Sequence, residues 1–477
     1  MTEATVADFV IVGAGSAGCV LAERLSADPR IRVVLLEAGG DDRPLRNPKQ
    51  ALSNLMIHVP AGYAQNLANP TVNWNFMTQP DPSTGGRTYH WPRGKVLGGT
   101  SSINGLVYVR GQPQDYDLWR QMGCHGWGWE DVLPYFRKSE HQERGADEWH
   151  AQGGPLNVCD QRERFEISDA VIEACSQAGL PRRADVNCAD QEGVTLYQQT
   201  ARNGRRCSTA VAYLHTAMKR PNLDVRTNAL ASRVLFEGGR AVGVAYLQGG
   251  RTREVRATRE VILAGGAINS PQLLQLSGIG DGDLLRDLGI PVIADRPSVG
   301  SNLQDHFGVA TAFRLKPGVR SVNEMTHGLR LAGQVLNYAL RRRGLLTFAA
   351  AAIGAFCKSR PELGTPDIQF HILPASADLA ALAHRRKRLI AMTLERRPGA
   401  TFSAYHMRPQ SRGSLRIASR DPREHPLIHP NYLAAQEDRF ATVQGLRWAR
   451  TIASQPALAA YIDSELRPGK ALETDEA

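Results

Sequence analysis

Residues 94–104, Gly-Lys-Val-Leu-Gly-Gly-Thr-Ser-Ser-Ile-Asn, carry the residue types that could hold and position a flat ligand. Gly98 and Gly99 remove the Cβ atoms that would keep backbone away from such a ligand. Thr100, Ser101 and Ser102 offer hydroxyls, and Asn104 offers both a donor and an acceptor. That set suits a flavin ring better than a nicotinamide. A second constellation lies upstream, Gly13-Ala14-Gly15-Ser16-Ala17-Gly18, with Glu37 beyond it. Gly13 is expected to make a turn, Gly15 to admit a pyrophosphate, and Gly18 to let a helix pack closely on a strand. Glu37 stands where a carboxylate would accept two ribose hydroxyls, which disfavours a 2′-phosphate.

The elements that must position these groups are legible as periodicity. Asp8–Val12 is a β-branched apolar run, and Cys19–Ser26 repeats apolar residues at helical spacing. Ile31–Leu36 reads as a second buried strand that ends at Glu37. The helix between them, with Ser16 and Ala17 at its start, would point amides and a partial positive charge at phosphates. Further along, Glu260–Ala264 predicts another strand, running into Gly265-Gly266. Asn269 or Ser270 is the expected N-cap of the helix that follows, Pro271 its first turn, and Ser277-Gly278-Ile279-Gly280 its end. Ala264 and Gly265 would thus bring backbone to the ligand a second time.

The 477 residues imply two connected domains rather than one simple core. The net charge of +10 is scattered over Arg205-Arg206, Arg341–Arg343 and Arg385–Lys387 without a nucleic-acid motif, so it predicts a solvated basic surface and no nucleic-acid partner. Seven cysteines without a C-x-x-C pair predict reduced thiols, and no His pair has metal-ligand spacing, so no metal site is expected. With the first strand beginning near Asp8, no signal peptide is expected. The most apolar run, Leu345–Cys357, is shorter than the ~20 residues of a spanning helix. The expectation is a cytoplasmic protein with no transmembrane segment and at most a peripheral contact with the inner membrane.

Taken together, residues 94–117 and 266–280 resemble the two signatures of the glucose–methanol–choline oxidoreductases. Asn73-Trp74, Trp91-Pro92-Arg93, Asn302-Leu303-Gln304-Asp305-His306, Gln369-Phe370-His371, Ser411-Arg412-Gly413 and Pro430-Asn431-Tyr432 extend the likeness over nearly the whole chain, closest to the bacterial choline and aliphatic-alcohol dehydrogenase branch. The resemblance implies an α/β (α+β overall) fold. An FAD-binding Rossmann-like domain would span residues 1–308, and an antiparallel-sheet substrate domain and C-terminal part would span 309–477. Part of the 155–195 region would reach over the substrate side, and 431–477 would be helical and head back to the FAD domain. It further implies contacts to FAD from Ala38, Trp74, Arg93 and Val96, from Gly105 and Val107, and from a backbone group of Val234 near the adenine. The implied activity is oxidation of an alcohol CH–OH by hydride transfer to flavin N5, with a histidine as base. Quinone, oxygen and other electron acceptors stay open.

Three departures sharpen the expectation. Some relatives tether FAD through a His at the position of Ile103, so here FAD is expected to be noncovalent. Choline-using relatives place a Glu where Ala352 falls, and burying an unpaired cation is costly, so an uncharged primary alcohol is expected. The His-x-x-Gly-Thr motif that carries the family's catalytic base does not occur in the sequence. No catalytic residue is therefore assigned, and the base is expected beyond Ala477, in a chain cut short at its C-terminus and impaired as it stands. Thr474-Asp475-Glu476-Ala477 reads as the N-cap of a helix to come. His371 is expected in the substrate pocket and His306 in a loop beside the cofactor, with His384 and the remaining histidines structural. The rival readings are a hydroxynitrile-lyase-like member of the same fold and an inactive flavin-binding remnant.

Overall fold

The computed structural model describes residues 5–46, 48–377 and 394–475. His384, the Arg385–Lys387 cluster and the last two residues of the expected terminal N-cap lie outside them. Among the described residues, two six-stranded sheets carry the molecule. Their strands in chain order are β1 (Thr5–Val12), β2 (Val33–Leu36), β3 (Gly193–Leu196), β4 (Leu223–Arg226), β5 (Leu230–Glu237) and β6 (Arg240–Gln248). They continue with β7 (Arg251–Leu263), β8 (Gly308–Leu315), β9 (Ile353–Cys357), β10 (Ile368–Leu373), β11 (Gly399–His406) and β12 (Ile462–Arg467). The helices that matter for the site are α1 (Ser16–Leu25), α2 (Ala51–His58), α3 (Glu166–Gln177), α4 (Gly266–Leu276), α5 (Gly328–Arg341) and α6 (Gln436–Ala453).

The first sheet runs β4–β2–β1–β7–β6–β5. Its first four strands are parallel, and β7, β6 and β5 form an antiparallel meander. All four residues of β2 are buried, as a strand covered on both faces requires. On one face Cys19 and Ala22 of α1 pack on Ile11, Val33 and Leu35. On the other, Val10, Val34 and Leu36 meet Val234, Val244, Tyr246 and Leu273. The crossover β1–α1–β2 thus places the turn after β1 at the carboxyl edge of the sheet, where α/β folds bind their ligands.

The second sheet, β12–β8–β11–β10–β9–β3, is antiparallel throughout. Alternation gives it two unlike faces. Val194, Ile353, Ala355, Ile368, Phe370, Phe402 and Ala404 point to one side, where they pack on Ile167, Val171 and Ala174 of α3 and on Ala449 and Ile452 of α6. The opposite face carries Thr195, Gly354, Gln369, His371, Ser403 and Tyr405, which register places side by side. This is the α/β architecture with a Rossmann-like domain and a sheet substrate domain.

Two local expectations are corrected. Over the described residues 431–475, the chain does not make the expected helical return to the first domain. After α6 and a short turn of helix, β12 joins the edge of the second sheet beside β8, because Ile462 and the residues after it offer an unpaired strand edge its hydrogen bonds. The helix after β7 does not start at Asn269 or Ser270. It starts at Gly266, with Gly265 as its N-cap and Pro271 inside it.

Phe402, 1% exposed, meets Phe313 edge-on at 5.5 Å between ring centroids in the core of the second sheet. Phe402→Ala is expected to cost about 3–5 kcal/mol, measured by denaturant unfolding. A loss under ~1 kcal/mol would show that this face does not hold the domain together.

Candidate functional site

The two glycine-rich turns meet at backbone distance. Gly99 has φ +53°, and a Cβ there would lie 2.6 Å from Gly15 Cα, so no side chain fits between the turns. Gly98 N–H donates to Ala14 O at 2.8 Å, holding the second turn on the first, and Ser102 Oγ donates to Leu97 O at 2.7 Å within the second turn. Gly18 serves the packing expected of it: a Cβ at that point would stand 1.8 Å from Gly13 O. At the end of β2, Glu37 Oε2 accepts Ala14 N–H at 2.8 Å and Oε1 accepts Gly39 N–H at 2.9 Å. Burial pushes the Glu37 carboxyl up to about 7, against the pull of those two N–H donors and of Lys95. Each oxygen keeps a lone pair for an incoming hydroxyl.

A cavity of about 580 Å³ opens on this junction. Gly13, Gly15, Ser16, Ala17, Glu37 and Ala38 line one side of it, and Trp74, Arg93, Gly99 and Thr100 another. Ala264 and Gly265 close it from β7, with Gly266, Ala267 and Ile268 at the start of α4. The N-termini of α1 and α4 therefore both border the cavity, which gives it two sets of free amides for an anionic group. Gly15 and Gly266 have almost nothing within reach of a Cβ except the cavity itself. A dinucleotide fits these walls: amides for the pyrophosphate, Glu37 for a ribose, and apolar Ala229 and Leu230 for an adenine.

Several residues expected at the cofactor do not line this cavity. Val96 is buried with Ile57, Val72 and Ile103. Gly98 supports the turn without lining the cavity. Asn104 Oδ1 accepts Leu106 N–H at 3.1 Å and an arginine donor at 2.7 Å. Gly105 O accepts Ala350 N–H at 3.0 Å, and Val107 pairs with Gln199. Val234 does not reach the cavity, since β5 packs on α4 there and Val234 N–H donates to Ser277 Oγ at 2.9 Å; Ala229, Leu230 and Ala231 take that part of the lining.

Sequence reasoning missed Arg206, placing it in the solvated basic surface. Its guanidinium is buried and donates to Ile57 O, Ser101 O, Asn104 O and Asn104 Oδ1 at 2.7–3.1 Å. Backbone acceptors leave no sequence signature, and its neighbours Gly204, Arg205 and Ser208 give no hint of burial.

The polar face of the second sheet lies against the strand that follows the second turn. Tyr197, Phe356 and Ala351 pack there with Val107 and Val109. Tyr197 OH donates to Phe370 O and accepts Gln369 Nε2–H, both at 2.8 Å, and its ring meets His371 edge-on at 5.4 Å. His371 Nε2 and Tyr405 OH are 3.0 Å apart, and His306 stacks on Tyr405. Burial, then the neighbouring His306, pushes His371 down to about 4, so its ring is neutral at neutral pH. Ala352 is not part of this cluster. Its side chain lies in the core with Phe348, Ile353 and Ile372, and Ala351 is the alanine that faces Tyr197.

The GMC oxidoreductase N-terminal family model matches residues 7–308 and the C-terminal one matches 409–477. The chain belongs to the GMC oxidoreductase family. It is similar to the mitochondrial choline dehydrogenase of Mus musculus (42% identical over 98% of this chain and 76% of the relative). It is also similar to an alcohol dehydrogenase [acceptor] of Pseudomonas putida (41%, 98% and 82%). Among solved structures, an FAD-dependent oxidoreductase from Chaetomium thermophilum superposes with a TM-score of 0.84 at 26% identity over 98% of this chain and 86% of that one. The protein is an FAD-dependent oxidoreductase acting on CH–OH donors. The reading of a truncated family member is not supported, because the family's C-terminal part is itself matched over 409–477.

Gly99→Ala is expected to drive a methyl into Gly15 and to strain a left-handed backbone, at roughly 2–3 kcal/mol. FAD affinity should fall about 30- to 150-fold, read by titrating apoprotein with FAD. Unchanged affinity would separate this contact from cofactor binding.

Proposed function

We propose that the chain oxidises an uncharged primary alcohol to its aldehyde, with FAD held noncovalently in the cavity between the two glycine turns. Glu37 would hold the ribose, the N-termini of α1 and α4 the pyrophosphate, and the Gly99–Thr100 backbone the ring system. FAD, when bound, supplies the two-electron acceptor that an alcohol oxidation requires.

The observation that carries the substrate class is the chemistry of the sheet face. Thr195, Gln369, His371, Ser403 and Tyr405 are polar, and none is acidic. A trimethylammonium head buried against them would lose its hydration without a carboxylate in return. A neutral hydroxyl, by contrast, matches the His371–Tyr405 pair, whose phenol oxygen can accept its hydrogen while donating its own to Nε2. This favours the activity named for the Pseudomonas putida relative over that named for the mouse one. In anaerobic stopped-flow mixing, a medium-chain primary alcohol is expected to reduce the flavin faster than choline does. Faster reduction by choline overturns the substrate assignment.

Ile103 is fully buried among Ile57, Val72 and Val96, where no nucleophile is presented to a cofactor. Acid precipitation should therefore release free FAD into the supernatant, measured by absorbance. Flavin that stays with the pellet would show a covalent link.

A further inference from the structure

Helix α5 lies on the protein with its polar side inward. Gln334 Oε1 accepts Leu345 N–H at 2.9 Å, Asn337 sits over Gly344, and Tyr338 is the helix's one buried residue. Arg342, just after the helix, lies over the Tyr338 ring. The apolar side faces out: Leu329 is 92% exposed, Leu340 74% and Leu336 59%, with Leu331 and Val335 beside them. Positions 329, 336 and 340, with 332 and 333, share one helical stripe. Burial normally rewards the reverse arrangement, so this stripe is a surface kept for contact.

Charge says what it contacts. No Asp or Glu occurs between Glu324 and Glu362, whereas Arg330, Arg341, Arg342 and Arg343 flank the stripe. A second set of exposed leucines, Leu52 and Leu55 on α2, is one element away: α2 packs on the short turn Pro60–Gly62, which packs on Leu345–Thr347 beside α5. A second copy of the chain would bring two arginine clusters together with no carboxylate on the stripe to offset them. At 14 residues the helix is too short to cross a bilayer and suits lying in its interface.

We propose that α5 docks the protein onto an anionic lipid bilayer, its leucines entering the acyl boundary and its arginines meeting the headgroups. The segment directly after it runs through Leu345–Thr347 to Ala350, whose N–H bonds Gly105 beside the second glycine turn. Docking there sets the bilayer next to the chain that leads to the site, which suits an apolar alcohol partitioned into lipid.

The test is co-sedimentation of the FAD-loaded protein with vesicles of phosphatidylcholine alone, or of phosphatidylcholine with phosphatidylglycerol. Binding is expected to the mixed vesicles and to weaken with salt. Leu336→Asp/Leu340→Asp and Arg341→Gln/Arg343→Gln should each weaken it about tenfold or more, with flavin absorbance and melting temperature unchanged. A wild type that stays in the supernatant with both vesicles, or variants that sediment like the wild type, overturns the proposal. So does a dimer seen by light scattering that Leu336→Asp/Leu340→Asp abolishes in the absence of vesicle binding, which assigns the face to a second copy.

Discussion

Everything at the site depends on two backbone turns approaching more closely than any side chain would permit. Gly15 and Gly99 touch with no room for a Cβ, and the Gly98 N–H to Ala14 O bond holds them in register. Ala14 is bound on its other side by Glu37, through its own N–H. One residue of the β1–α1 turn is therefore gripped by the end of β2 and by the second glycine turn at once. The cavity's walls come from distant parts of the chain, yet short-range contacts tie each to the next.

Arg206 extends that unit outward. An ion this deeply buried without a carboxylate would ordinarily be expelled or neutralised. Here burial does lower its pKa, to about 9, which still leaves it protonated at neutral pH. Its charge is met by carbonyl oxygens of Ile57, Ser101 and Asn104 and by the Asn104 side chain. Charge-assisted bonds to several acceptors offset the lost hydration and leave the geometry rigid. The guanidinium, carried by the short strand Arg205–Arg206, thereby staples the second turn to α2. Asn104, whose type suggests a ligand contact, spends its side chain on this staple.

The legible parts of this chain are those whose constraints are local. The run from β1 through α1 to Glu37 fits within some tens of residues, and each glycine in it answers a steric demand that its neighbours impose. Where contacts join distant segments, residue types alone do not decide. The edge strands β3 and β12 enter the second sheet from segments far apart in the chain, and nothing in Ile462–Arg467 distinguishes an edge strand from the helix expected there. Ala351 and Ala352 show the limit most sharply. They sit in the bend just before β9, where the first packs beside Tyr197 and the second in the core with Ile353, so an offset of one residue exchanges pocket wall for core. Arg206 was invisible for a related reason: composition counts a charge but does not say whether water surrounds it.

The second sheet's two faces then follow from one another. Its apolar face is fully used by α3 and α6, which commits the alternate residues of β9, β10 and β11 to the side of the glycine turns. Polar groups placed there must be satisfied away from bulk water, and they are satisfied by each other: Tyr197 with Gln369, His371 with Tyr405. That mutual satisfaction needs no net charge, and burial with the nearby His306 keeps His371 in its neutral form. A cation entering beside His371 would repeat the push that His306 already exerts and add its own desolvation cost. A hydroxyl would instead extend an existing hydrogen-bond chain by one link. The preference for an uncharged alcohol that we propose would thus follow from how the sheet is packed on its far side, not from any single residue chosen to exclude choline.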